Sequence, residues 1–266
     1  MKLLLISNST NYKESYLGWC MPLIQEFLGT KGKKKIAFFP YAVVRNGATL
    51  EESYNAATEK VKNCFKTFGL KADIVSTHSV ADPVALVNES DAIMVSGGNT
   101  FHLVYELHRN KLIEPVRRKV LEGAPYMGWS AGSNVACPTL RTTNDMPIIM
   151  PESFNCFDFV PFQINPHYID PYPTEVEDAL THAGESRQDR IEEFLCIHPE
   201  VTVVGLREAT ALWVENDVIT LREYEKNPYK KKREMIVLKQ GCPVREIKPG
   251  STFDFSMNLL KKGCKK

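Results

Sequence analysis

The sequence predicts an α/β protein: a mostly parallel sheet flanked by helices, with an antiparallel β extension at the C-terminal end. Three observations lead there. In the first half, short and fully apolar runs alternate with amphipathic helical stretches, the pattern of strands buried on both faces. After Ala211 the runs Leu212–Val214, Val218–Leu221 and Met235–Leu238 follow one another with no helix between them, which reads as an antiparallel meander. Finally, 266 residues suffice for a sizeable core, and no linker or shift in composition marks a boundary. The expected organisation is a single domain, residues 1–266, in which 222–266 form a basic β-meander extension and tail.

In chain order, Leu3–Ile6 predicts a first buried strand that ends in the polar turn Ser7-Asn8-Ser9-Thr10. Helical spacing of Leu17, Cys20, Ile24, Phe27 and Leu28 predicts a helix over Tyr16–Leu28. Ile36–Phe39 is a strand stopped by Pro40. From Thr49 to Phe68, Tyr54, Ala57, Val61, Cys64, Phe65 and Phe68 mark one face of a long helix. Ala72–Val75 is a strand, Pro83–Val87 a short helix, and Ala92–Val95 a strand running into Ser96-Gly97-Gly98-Asn99-Thr100. Asn99 or Thr100 caps the next helix, which turns Phe101, Val104 and Leu107 inward. Pro115–Leu121 is helical and leads to a strand at Ala124–Met127. Thr139–Tyr168 is rich in Pro, Asn, Thr and Asp and predicts loops with short strands at Ile148–Met150 and Phe159–Phe162. A helix over Gln188–Cys196 precedes the strand Val201–Leu206. Lys230–Arg233 reads as a hairpin tip in solvent.

Composition narrows the function. Lys plus Arg number 33 against 32 Asp plus Glu, so no global field draws the chain to nucleic acid or an anionic membrane. Small-molecule chemistry fits better. The seven cysteines include no C-x-x-C pair and lie in apolar segments, which implies reduced thiols and a cytoplasmic location. The apolar start breaks off at Ser7 without a cleavage-like site, and no later run is long enough to span a bilayer.

Gly128-Trp129-Ser130-Ala131-Gly132 carries the chemistry. This G-x-S-x-G stretch lies between an apolar strand and small, helix-compatible residues, the context of an elbow that lifts a serine hydroxyl clear of a sheet. In a parallel sheet, sites gather at strand C-termini, so the Gly97-Gly98 turn and the Ser130 elbow are expected to open on one edge. A serine nucleophile needs a base. Of the six histidines, His167 in Gln163-Ile164-Asn165-Pro166-His167-Tyr168 is singled out, because a proline fixes the backbone at a strand end just before the imidazole. The base needs an orienting carboxylate, and two positions offer one: Asp145 in a loop and Glu208 at the end of a buried strand. Oxyanion donors are available in the backbone N–H of Ala131 and of Gly98, with Asn99 on the same turn as a further donor or substrate contact.

Four stretches together, Ser96–Phe101, Gly128–Ser133, Arg141–Pro147 and Phe162–Tyr168, match in order and spacing and resemble peptidase E, the α-aspartyl dipeptidase family of serine peptidases, over roughly residues 1 to 222. The resemblance implies a fold similar to the class I glutamine amidotransferase domain with serine in place of cysteine. It implies removal of an N-terminal aspartate from small Asp-X peptides without metal or cofactor. Matched motif to motif, it makes Ser130 the nucleophile, His167 the base, Asp145 the orienting acid, and Gly98 and Ala131 the oxyanion donors. Glu208 is a second-rank acid. A desolvated substrate carboxylate must be paired, and Arg187 matches the family's candidate for that role. Two stretches, 170–183 and 224 to the end, are longer than a minimal member requires, and the first could cover the pocket. The rival functions are an iso-aspartyl or cyanophycin-type peptidase, a non-catalytic binding protein and an ordinary α/β-hydrolase esterase.

Overall fold

Leu3 and Leu5 of β1 (Lys2–Ile6) enter one face of the core and Leu4 and Ile6 the other, all four fully buried. A strand that hides both faces must sit inside a sheet with layers on either side. The computed structural model describes residues 1–29, 32–171, 185–224 and 233–258. In it β1 is the centre of an eight-stranded sheet. On one side of β1 lie β5 (Tyr126–Trp129), β4 (Ala92–Val95), β2 (Lys34–Phe39) and β3 (Ala72–Ser76), all parallel. On the other side β8 (Thr210–Glu215), β9 (Val218–Glu223) and β12 (Thr252–Phe253) continue it antiparallel.

One face is covered by α1 (Met21–Leu28) and α2 (Leu50–Thr67), through Ile24, Phe27, Val61 and Phe65. Thr49 and Glu52 form a capping box at the start of α2, exchanging side-chain and backbone bonds. The opposite face takes α3 (Pro83–Glu89), α4 (Thr100–Arg109) and α5 (Ile113–Leu121), through Leu86, Val104, Leu107 and Val116. The same face receives a second, four-stranded sheet in the order β11 (Arg245–Ile247), β10 (Met235–Lys239), β7 (Thr202–Arg207) and β6 (Gln163–Tyr168). Ile164, Val204, Leu206 and Val237 of this sheet join the core cluster of Leu3, Leu5 and Tyr126. Its other side packs Val203, Ile236 and Leu238 against Ile191 and Leu195 of α7 (Arg187–Ile197).

Three expectations are corrected. The first helix begins at Met21 rather than Tyr16: Pro22 stands in its first turn, where a missing N–H costs nothing, and Tyr16–Cys20 form turns. Ile148–Met150, held between Pro147 and Pro151, and Phe159–Phe162 are not strands. Met235–Leu238 does not extend the meander. All four residues are buried, as an interior strand demands, and they pair with β7 and β11 in the second sheet. Among the described residues no helix is long and apolar enough to cross a membrane.

Candidate active site

Between β5 and the single-turn α6 (Ala131–Asn134), Ser130 adopts φ 54° and ψ −113°, a conformation that non-glycine residues avoid at a cost of about 1–3 kcal/mol. Backbone contacts enforce it. Its N–H donates to the Ile6 carbonyl at 3.0 Å, and its own carbonyl accepts from the N–H groups of Ser133 and Asn134. The Ser133 hydroxyl is shared between the Ile6 and Gly128 carbonyls at 2.7 and 2.9 Å. The motif glycines are there for space. A Cβ at Gly128 would lie 2.4 Å from the Gly132 carbonyl oxygen, and one at Gly132 would lie 2.3 Å from that of Val95. Elbow and Gly97 turn also meet, since a Cβ at Gly97 would lie 2.9 Å from Ser130 Cβ.

The imidazole arrives from the second sheet. β6 and β7 run parallel with Pro166 opposite Leu206, but Tyr168 faces Arg207, so His167 is the extra residue of a bulge, at φ 54°. A bulge re-aims the side chain it carries. His167 Nε2 lies 3.0 Å from Ser130 Oγ, and Nδ1 lies 2.9 Å from Glu208 Oε1. With Nδ1–H donating to the carboxylate, Nε2 is left as an acceptor for the serine hydroxyl.

Glu208 follows β7 and precedes Ala209, which has φ 60° and donates its N–H to Asn8 Oδ1 at 2.7 Å. The backbone N–H of His167 donates to Ser7 Oγ at 3.0 Å, and that hydroxyl donates to the Leu206 carbonyl at 2.8 Å. The fully buried Ser7 thus stitches the end of β1 to both strands of the relay. Arg207 forks onto both carboxylate oxygens of Asp170, at 3.1 and 2.5 Å, joining the ends of β6 and β7. Arg233, expected in solvent, is buried and donates to the Glu208 carbonyl. Burial pulls its guanidinium below the ordinary value, against the pull of Glu223 and Glu208. Lys230 to Lys232 lie outside the described residues.

Asp145 is not the carboxylate that holds His167. Its Oδ2 accepts from Thr100 N at 2.7 Å, Thr100 Oγ1 at 2.6 Å and Thr143 Oγ1 at 3.0 Å, which commits it to the start of α4. Its neighbour Asn144 does reach the relay, donating through Nδ2 to the Pro166 carbonyl at 2.7 Å. The Asn99 side chain is also engaged internally: Oδ1 caps α4 by accepting from His102 N, and Nδ2 donates to the Met146 carbonyl. Its N–H is used as well, donating to the Ala42 carbonyl at 2.7 Å.

Gly98, Ser130 and His167 share a cleft of about 430 Å³. The N–H groups of Gly98 and Ala131 make no backbone hydrogen bond among the described residues. Arg187 opens α7 with its Nη1 buried and, among the described residues, without a hydrogen-bond partner. Burial lowers its guanidinium from the ordinary value, and the nearby Glu208 carboxylate opposes this. The segment read as an insert, 170–183, lies outside the described residues from 172 onward. Sequence reasoning missed Ser7, Asn144, Arg207 and the support from Arg233. Ser7-Asn8 had a usable signal, as the polar pair at the C-terminal end of a parallel strand, where sites form.

A serine at a strand-to-helix elbow, bonded to an imidazole that is bonded to a carboxylate, is the constellation of serine hydrolases. The model of peptidase family S51 matches residues 3–222. Over 220 residues, 83% of this chain and 85% of the relative, the sequence is 46% identical to peptidase E of Nostoc sp.. It is 40% identical to peptidase E of Streptomyces coelicolor over 251 residues, 94% and 93% of the two chains. A solved peptidase from an acI-B1 actinobacterium shares the fold, with TM-score 0.59 at 17% identity over 95% of this chain and 96% of its own. The chain belongs to peptidase family S51 and is a serine-type peptidase.

Proposed function

We propose that the protein is an exopeptidase that hydrolyses dipeptides with N-terminal aspartate through an acyl-enzyme. The continuous hydrogen-bonded line Ser130–His167–Glu208, with steps of 3.0 and 2.9 Å, carries this reading. Ser130 Oγ attacks the carbonyl carbon of the aspartyl residue while His167 Nε2 takes the hydroxyl proton. Glu208 holds the imidazole in the required tautomer and stabilises the imidazolium. The N–H groups of Gly98 and Ala131 receive the oxyanion of the tetrahedral intermediate. His167 returns its proton to the leaving amine, the C–N bond breaks, and water, deprotonated by His167, releases aspartate from the ester. Arg187 pairs with the aspartyl side chain, since a half-buried guanidinium whose Nη1 is buried and, among the described residues, unused suits a desolvated carboxylate.

We also place the protein in the cytoplasm, because the six cysteines among the described residues are free thiols, four of them buried. A panel of X-Leu and Asp-X dipeptides, with Asp-Leu beside its iso-aspartyl isomer, tests the substrate. Turnover confined to α-linked Asp-X supports the reading, and preference for the isomer or for uncharged X-Leu overturns it. Replacing Ser130 by Ala should cut kcat by about 10⁴-fold or more with the fold intact. Turnover near that of the wild type would exclude the serine mechanism.

A further inference from the structure

The cleft extends past Ser130 and the Gly97-Gly98 turn to a wall made by α2 and the loop before it, where it is lined by Arg45 and Lys60. Neither side chain forms an ion pair among the described residues. Among the described residues no Asp or Glu lines the cleft. Lys60 is nevertheless placed: its ammonium stands 4.1 Å from the centroid of the Tyr16 ring. Tyr16 in turn meets Trp129, the residue before the reactive serine, edge to face with centroids 6.1 Å apart. A ring face orients a cation without neutralising it. Two cations with no paired carboxylate thus share one cleft with Ser130, on the side bounded by α2.

A dipeptide must bring a second charge to this cleft. Once the aspartyl carbonyl sits at Ser130, the leaving amino acid holds its α-carboxylate only one residue away, about 3.5 Å along the chain. A carboxylate drawn into a partly closed cleft requires donors of opposite charge. Arg187 lies near Glu208 and, in the mechanism proposed above, pairs with the aspartyl side chain. We infer that Arg45 and Lys60 form a subsite for the free α-carboxylate of the leaving amino acid, and that this subsite selects dipeptides over amides and longer chains. The inference rests on the reading of the cleft as a peptide-hydrolysing site.

Comparing kcat/KM for Asp-Leu and Asp-Leu-amide in the wild type, Arg45→Gln, Lys60→Gln and the double variant tests it. The wild type should favour the free acid by roughly tenfold or more, the range of a hydrogen bond to a charged group. The double variant should lose most of that preference through a raised KM for Asp-Leu, and keep turnover of the amide within about twofold. Lys60→Glu should reverse the preference in favour of the amide. Both positions are exposed, so folding is not at stake. Equal loss on the two substrates would overturn the subsite and transfer the two cations to recognition of the aspartyl side chain. A wild type that cleaves acid and amide alike would also overturn it while leaving the peptidase reading intact. Failure to cleave either substrate would remove the parent reading and this inference with it.

Discussion

Ser130 and its relay partners are held by different means. The serine stands on the central sheet, where fully buried strands, the close approaches at Gly128 and Gly132, and backbone hydrogen bonds leave the elbow one conformation. His167 and Glu208 sit at the ends of two strands of the smaller sheet, where side chains do the holding: Ser7 contributes two bonds, and Asn8, Asn144 and Arg233 contribute one each. Glu208 keeps about half of its side chain in solvent, at 52% exposure. Close packing of backbone tolerates no added atom, whereas a web of side-chain bonds loses its members one at a time. Geometry on the first side should therefore fail abruptly, and on the second by degrees.

The largest effect that sharpens this contrast separates the two acids. Glu208→Gln should lower kcat by roughly 100- to 10,000-fold with little change in the unfolding midpoint, because it removes the charge that fixes the tautomer and stabilises the imidazolium. Asp145→Asn should do the reverse, costing about 1–2 kcal/mol of stability as the brace at the start of α4 weakens, with kcat within about tenfold of the wild type. Steady-state kinetics and urea unfolding of both variants decide, and a larger kcat loss in Asp145→Asn would return the orienting role to that residue.

Next comes Gly132→Ala, which presses a methyl against the Val95 carbonyl. It should destabilise the protein by about 1–3 kcal/mol and remove most of the activity at once, since the elbow has no slack. Unchanged thermal unfolding and kinetics would break the claim that the nucleophile is packed in place. Ser7→Ala should be milder, costing about 1–2 kcal/mol for the lost buried hydrogen bonds and lowering kcat several-fold without moving KM. A loss as complete as that of Gly132→Ala would show that the relay is as intolerant as the elbow.

Much of the central sheet was legible because burial on both faces writes itself as uninterrupted apolar runs, such as Leu3–Ile6 and Ala92–Val95. The elbow was legible because Gly128 answers a contact within the local strand–turn–helix unit, whereas the need for Gly132 comes from Val95 on the neighbouring β4. The first helix was extended too far because Leu17 and Cys20 fit helical spacing, yet they are buried in turns before Pro22. Apolar spacing reports burial, and turns can be buried too.

By itself the sequence determined the α/β class, the parallel character of the sheet built by the first half, the serine at its elbow and the histidine that faces it. These depend on periodicity, glycine placement and local strand endings. Only the tertiary structure decided which carboxylate meets the imidazole. Asp145 and Glu208 are equally plausible from the chain, but the parallel pairing of β6 with β7 and the bulge at His167 bring Glu208, and not Asp145, to Nδ1. The same holds for Met235–Leu238, whose uninterrupted apolar run suits either sheet until β7 offers its free edge. Long-range pairing is settled by which partners can be buried together, a property of the assembled core and not of any one segment.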